Sequence, residues 1–493
     1  MLSFNTTLKP ILLILLPFIF YEKVCSQHLI VENIKSINLR HQSAIKVADD
    51  IIGYFFIYED DIVDDYSDTY KLTITDNSLK LINETIITVS EQTSIFEYSF
   101  NGSEIIILFF HQDDKTFEYQ VYDLNGVKKF TYLKKLSGKE LRQYKKIPLD
   151  GAENILFQNF HPVENVGFIS NTISEDKNSI SIDFYNSKEN KQWNYIPKTG
   201  GNYFFGEYLG TNKNVVYLNV VSYKGSIYSD KAEVFLVGLD LQTGKELFKK
   251  PADSKYKLLA KGLQIFNDGE GYLYGPFYKP TADIHKDKAL GFAVWKINGD
   301  GSIMEEKYLS WANDFKNAIS ISNKGKIQGI GYIHFHNIVQ APNGDMYVLG
   351  EGYDKIINPF TVVNAALFGI LSVIGEPLTI TVATDILLIR LDSALKLQNI
   401  TVYNKNISNL FGYYGTQTNR KDSSISFIYL SKRADAINYI NVNDGKISTE
   451  KIKANPKGSK TIVLPASAEQ KLIIEYFKSL KRLELYKESF IKK

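Results

Sequence analysis

The sequence predicts an all-β protein, a β-propeller of about eight four-stranded blades. Three observations predict it. Short strand patterns follow one another with no long, strongly periodic helix between them. One kind of tight turn returns along the chain at a near-regular spacing. Residues that favour strands are abundant, with 32 Tyr and 30 Phe.

The repeating unit is clearest over residues 93 to 133. Thr93 to Phe100 reads as a strand, Asn101-Gly102 as a turn, and Glu104 to His111 as a second strand. After Asp113-Asp114 comes a third strand, in which Phe117, Tyr119 and Val121 alternate with Glu118 and Gln120. That period of two marks a strand with one buried face. Asn125-Gly126 then reads as a hairpin turn whose two central residues favour positive φ, and Val127 to Leu133 completes four strands. Four antiparallel strands in about 40 residues are the size of one blade.

The turn between third and fourth strands recurs at Asp76-Asn77, Asn125-Gly126, Asn186-Ser187, Thr243-Gly244, Asn298-Gly299, Asp392-Ser393 and Asp444-Gly445. The steps are about 48 to 62 residues, with one of about 95. These turns imply seven blades. An eighth follows from the ends, where Thr461 to Leu464, Lys471 to Phe477 and Arg482 to Tyr486 are three strands without a fourth. His28 to Ile37 is a strand without a sheet. Pairing it with the last three closes the ring and removes two exposed edges. Seven blades is the alternative count. A pair of β-sandwich domains is the alternative architecture, and it leaves the regular turn spacing without a cause.

Residues 1–26 are expected to be a signal peptide. Lys9 supplies positive charge, Ile11 to Phe20 is apolar apart from Pro17, and Val24-Cys25-Ser26 suits cleavage before Gln27. The run is shorter than the roughly 20 residues of a spanning helix. A lipid-anchored form would use Cys25, preceded here by Glu22, Lys23 and Val24 rather than by small and aliphatic residues. Cys25 is the single cysteine, so residues 27–493, read as one domain, must be held by their core without disulfides. The expected location is exported, in the periplasm or at the cell surface, and the expected state is a monomer. A net charge of +2, from 57 basic and 55 acidic residues, argues against nucleic acid as a partner.

In a propeller, loops from second to third strands and between blades emerge on one rim, and the other two kinds of turn emerge opposite. The long connections Glu59–Asp68, Lys134–Ala152, Tyr223–Asp230, Tyr278–Lys288, Ser310–Tyr332 and Gly352–Ala383 all fall on the first rim. Long loops cost entropy, and function collects in loops held by a rigid scaffold, so this rim is expected to carry the function.

Four groups on it are candidates. Asp60, Asp61, Asp64 and Asp65, with Glu59 and Asp68, form an acidic loop. It is either solvated or neutralised by calcium, although it lacks the spacing of a calcium loop. The insertion 352–383 contains an apolar stretch, 360–374, with Phe360, Leu367, Phe368 and Ile370. It reads as a lid or as a docking element for a partner or membrane surface. His334 and His336 share a strand face and are either hydrogen-bonded wall residues or the start of a metal site without a third ligand nearby. Tyr278, Trp311, Tyr332, Tyr353 and Phe315 offer aromatic planes for a protein or sugar partner. Trp193 and Trp295 lie on strands and are expected in the core.

No Gly-x-Ser-x-Gly elbow, His-Glu-x-x-His, phosphate loop or Cys pair is present, and Gly329-Ile-Gly331 lacks the rest of a dinucleotide fingerprint. Asp240-Leu-Gln-Thr-Gly244-Lys245 resembles the turn of a quinoprotein propeller repeat. Leu247-Phe248 stands where that family has Trp, so the resemblance implies a blade and no quinone. Ala341-Pro-Asn-Gly-Asp-Met-Tyr-Val-Leu-Gly350 is similar to the first hairpin of many bacterial propellers, and the Ser-x-Asp-x-Gly-x-Thr-Trp box of sialidases is absent. Tyr347-Val-Leu-Gly-Glu351, followed by an insertion and Thr384-Asp-Ile-Leu-Leu-Ile-Arg-Leu-Asp392, resembles an uncharacterised family of exported bacterial proteins. That resemblance implies export and no assigned activity. The expected function is an envelope-associated binding scaffold without a cofactor, for a protein or glycan. The alternative is a polysaccharide hydrolase or lyase with carboxylates meeting at the propeller mouth.

Overall fold

The computed structural model describes residues 28–37, 43–47, 50–60, 67–90, 92–138, 140–141, 160–173, 179–198, 202–224, 232–252, 255–265, 271–284, 287–357, 379–405, 413–419, 424–430, 436–443, 445–453, 458–467 and 470–489. They form eight antiparallel sheets of four main strands each. Blade 2 is Thr93–Phe100, Glu104–His111, Thr116–Asp123 and Lys128–Lys135, the four strands read from the sequence. Its second strand is buried almost throughout, whereas its fourth alternates between exposed and covered positions. The inner strands are covered on both faces by the neighbouring blades, and the outermost faces water, so apolarity fades outward.

Blades are joined by eight apolar clusters, each spanning one junction. Between blades 2 and 3, Phe110, Phe117 and Tyr119 meet Phe160, Phe168 and Tyr185. Tyr119 and Phe168 stack with centroids 4.7 Å apart. The last cluster places Leu472, Ile474 and Leu485 of blade 8 on Ile34, Tyr54 and Phe56 of blade 1. An unbroken series of junctions that returns to its start is a closed ring.

The closure uses both chain ends. Lys460–Pro465, Gln470–Phe477 and Arg482–Ser489 are completed by His28–Val31, which lies antiparallel to the last strand. The N-terminal segment is not one strand to Ile37, however. Asn33 takes a φ of 62°, which Asn tolerates better than most residues, and the chain turns there into blade 1. Ile34–Ile37 and Ser43–Val47 both pair with Asp50–Asp60, so that blade's innermost strand is interrupted. Blade 5 repeats the feature, with Lys257–Leu258 and Gly262–Ile265 on Gly271–Tyr278.

All seven turn signals fall between third and fourth strands. Their conformation differs from the expected hairpin in one respect. At Asp123-Leu-Asn-Gly126 only the glycine has positive φ, 73°. The Asp123 carboxylate instead accepts from the backbone N–H groups of Asn125 and Val127, both at 2.9 Å. The turn is thus a carboxylate-capped loop closed by glycine. A Cβ on Gly126 would also lie 2.1 Å from the Asn83 side chain of blade 1. Asp240 and Asp392 cap their turns in the same way.

The two rims differ as expected. On one, no connection exceeds five residues. On the other, connections occupy 136–159, 279–290, 311–331 and 358–378. The insertion of blade 6 is narrower than the sequence suggested. Met346–Ile357 and Thr379–Leu391 continue as paired strands through 352–357 and 379–383, where β-branched residues favour extension.

Candidate functional site

Innermost strands of adjacent blades approach one another, those of blades 4 and 5 most closely, and titratable side chains stand on those of blades 3 to 6. His161 stands on Phe160–Val163, Glu207 and Tyr208 on Asn202–Asn212, Lys261 just before Gly262–Ile265, and His334 and His336 on Tyr332–Gln340. Lys261 bridges to Glu207 across blades 4 and 5 at 3.5 Å. His161 packs on the Tyr208 ring at 4.7 Å, with the Asn171 amide 3.5 Å from its Nε2. Burial lowers the His161 pKa to about 4. Burial, then His336 and Lys261, lower that of His334 to about 3. Burial raises the Tyr208 hydroxyl to about 12. These inner strands therefore present neutral imidazoles at neutral pH beside one ion pair.

Both histidines titrate near 6.5 when unfolded, so the unfolded chain binds more protons as pH falls. Stability should be full above about 6.5 and drop by about 1.4 kcal/mol per pH unit for each histidine, down to about 4 for His161 and about 3 for His334. Melting curves across that window, compared with those of His334→Gln, should show a shallower acid limb in the variant.

Blade 6 also holds a buried charge cluster. Glu351, midway along the second strand of blade 6, is 0% exposed. One carboxylate oxygen meets His336 Nε2 at 2.9 Å, and the other pairs with Lys405 Nζ. Lys405 donates its backbone N–H to Asp385 at 3.0 Å. Register shifts at His336 and beside Glu351 aim these side chains together. His334 and His336 do not simply share a face, because His336 occupies the bulge; their rings lie 4.8 Å apart at 72°. Among the described residues no group of three or more His, Cys, Asp or Glu side chains is placed to hold a metal ion.

At the long rim of blade 6, Tyr332 and Tyr353 are directly paired across the first two strands, with ring centroids 5.9 Å apart. Both are half-buried. Lys288, from the blade 5 loop, sits 4.4 Å from the Tyr332 ring, and Lys326 pairs with Asp354 at 2.7 Å. Together they form an aromatic and charged ledge.

Trp311 and Tyr278, expected to face a partner, are buried instead, at 4% and 8% exposure. The connection 311–331 folds down on the blade 5–6 junction, burying Trp311, Phe315, Ile321, Ile327 and Ile330 around Phe335. Trp311 Nε1 donates to the Ala289 carbonyl at 2.9 Å. Trp295 is core, and Trp193 is half-buried against Phe184. Phe360, Leu367, Phe368 and Ile370 lie outside the described residues, as do Asp61, Asp64 and Asp65. The described carboxylates of the acidic loop have lysine partners. Asp60 pairs with Lys71 at 2.7 Å, and Glu59 and Asp68 share Lys35. Among the described residues no helix is long and apolar enough to cross a membrane.

Glu351 and Lys405 were missed in the sequence, although a carboxylate following Tyr347-Val-Leu-Gly350 in a strand covered on both faces demands a partner. His161 and Lys261 carried no signal, since each meets its partner, Tyr208 or Glu207, only when its blade packs beside blade 4.

A family described only as of unknown function, DUF6770, matches residues 7–411 and 407–490. No curated protein sequence matches the chain. Among solved structures, the β-propeller domain of the trilobed protease from Pyrococcus furiosus aligns at 8% identity and a TM-score of 0.40, over 85% of this chain and 96% of that one. Prolyl oligopeptidase B from Galerina marginata aligns at 9% and 0.41, over 89% and 55%. The polysaccharide lyase Uly1 aligns at 10% and 0.36, over 80% and 89%. At these values the activities of those proteins do not transfer.

Proposed function

The chain belongs to the DUF6770 family of unknown function, and from that premise we propose that it is an exported scaffold of the cell envelope that holds a protein or glycan partner on its long-loop rim. The asymmetry of the two rims carries this reading: every connection longer than five residues emerges on one side. Functional loops on a rigid scaffold cluster in this way, whereas unselected lengthening would fall on both rims. The ledge of Tyr332, Tyr353 and Lys288 supplies planes and a cation for stacking and hydrogen bonding, and the apolar sequence 360–374, in the connection that follows Tyr353 in the chain, serves as docking element.

The test removes 358–378, joining Ile357 to Thr379 by a short turn, and separately replaces Tyr332 and Tyr353 by serine. Truncating a central aromatic anchor costs about 2 kcal/mol, roughly 30-fold in affinity. Capture of partners from the native envelope, and binding to immobilised glycans, should fall by that order with the melting temperature nearly unchanged. Equal recovery by all three proteins would remove the rim from the account. A second reading, a polysaccharide hydrolase or lyase, is favoured by one observation: the inner strands of blades 3 to 6 hold His161 and His334 neutral beside Lys261 and Glu207. An imidazole neutral at working pH is able to accept a proton.

A further inference from the structure

A separate set of groups crosses blade 2 on the same rim. Thr93 opens the first strand and stands directly opposite His111, at the end of the second. Glu118 lies on the third strand, two pairs further in, opposite Phe109. Ser90, at the end of blade 1, completes the row. Ser90 Oγ is 2.7 Å from Thr93 Oγ1, which is 2.9 Å from His111 Nδ1, and His111 Nε2 is 2.6 Å from a Glu118 oxygen. The other Glu118 oxygen accepts from the Gln120 amide at 2.8 Å, and Gln120 in turn accepts from the Tyr122 hydroxyl.

The chemistry of the last acceptor fixes the direction of the chain. An ionised carboxylate only accepts, so His111 Nε2 carries the hydrogen and Nδ1 presents its lone pair. Thr93 then donates to Nδ1, and Ser90 donates to Thr93. Every hydroxyl proton points toward the imidazole, and the imidazole is oriented by a carboxylate that is itself held. Thr93 is 3% exposed, while Ser90 is open to solvent. The base is sheltered, the outermost oxygen is presented, and one hydroxyl stands between them to pass a proton.

We propose that Ser90 is a nucleophile for carboxylic esters, activated through Thr93 by His111 and Glu118. Ser90 Oγ bonds to the acyl carbon as its proton passes to Thr93 and the Thr93 proton passes to His111 Nδ1, leaving an imidazolium against Glu118. The C–O bond to the alcohol breaks, and the departing alkoxide takes the proton back through Thr93. Water then attacks the acyl-serine by the same relay, releasing the carboxylic acid and restoring Ser90. No residue of this row belongs to the titratable set of blades 3 to 6 or the tyrosine ledge, so its failure leaves the scaffold reading intact.

The full chain is treated with a fluorophosphonate probe and mapped by mass spectrometry, and hydrolysis of p-nitrophenyl acetate is followed in parallel. One equivalent of label is expected on Ser90, absent in Ser90→Ala. Thr93→Val and His111→Gln, checked by melting, should slow labelling and turnover by roughly 10²–10⁴-fold. No label above that of Ser90→Ala, or wild-type rates in a folded Thr93→Val, would overturn the assignment and leave the row as a clamp between blades 1 and 2.

Discussion

Replacing Lys405 with methionine is expected to cost about 3–5 kcal/mol, more than most single changes. The Lys405 and His336 side chains are each 1% exposed and that of Glu351 is 0%. Taking a carboxylate out of water is tolerable only while a cation and hydrogen-bond donors surround it. Without the ammonium, Glu351 keeps only part of its compensation. Exposed pairs set the contrast. Lys191 and Glu189 lie 2.6 Å apart but are 61% and 47% exposed, and breaking that pair should change stability by no more than about 1 kcal/mol. Pairing Lys405→Met with Glu351→Leu should restore much of the loss, because no charge is then left stranded. Urea unfolding of the three variants measures this. A loss under about 1 kcal/mol for Lys405→Met alone would mean that the cluster is hydrated.

The blades were legible because their turns need particular residues. Asp123, Asp240 and Asp392 cap backbone N–H groups, and Gly126 and Gly244 supply positive φ, so composition marks each third-to-fourth connection. The eighth blade followed from unpaired strands at the two ends. Long-range partners were not legible. Glu351 meets a lysine 54 positions away, and the acidic loop meets Lys35 and Lys71 from neighbouring strands. Loop aromatics misled because a long connection can build its own core, as 311–331 does around Trp311. Tyr332, which opens its strand, and Tyr353, late in the next, remain at the rim because the sheet itself fixes them.

Ring closure by the first strand carries the second large effect. Leu483 and Leu485 are 0% exposed and are paired across the strands with Val31 and Leu29. Ile34 N–H donates to the Lys481 carbonyl at 2.9 Å, and the Tyr476 hydroxyl reaches the Lys35 carbonyl at 3.1 Å. A chain beginning at Ile34 should lose this cover, expose an edge on blade 8 and melt well below the intact protein. The closure joins positions at opposite ends of the sequence, so a covalent bond there constrains nearly the whole unfolded chain.

Ile30 and Glu484 are directly opposed across that pair, a separation that suits a disulfide. The decisive measurement is oxidation of Ile30→Cys with Glu484→Cys, in a Cys25→Ser background, read by non-reducing mass mapping and melting. A closed ring gives one intramolecular disulfide in nearly every molecule and adds about 2–4 kcal/mol over the reduced form. Free thiols, or disulfides formed only between molecules, would show that the ends do not meet, and the arrangement of loops on one rim would lose its basis.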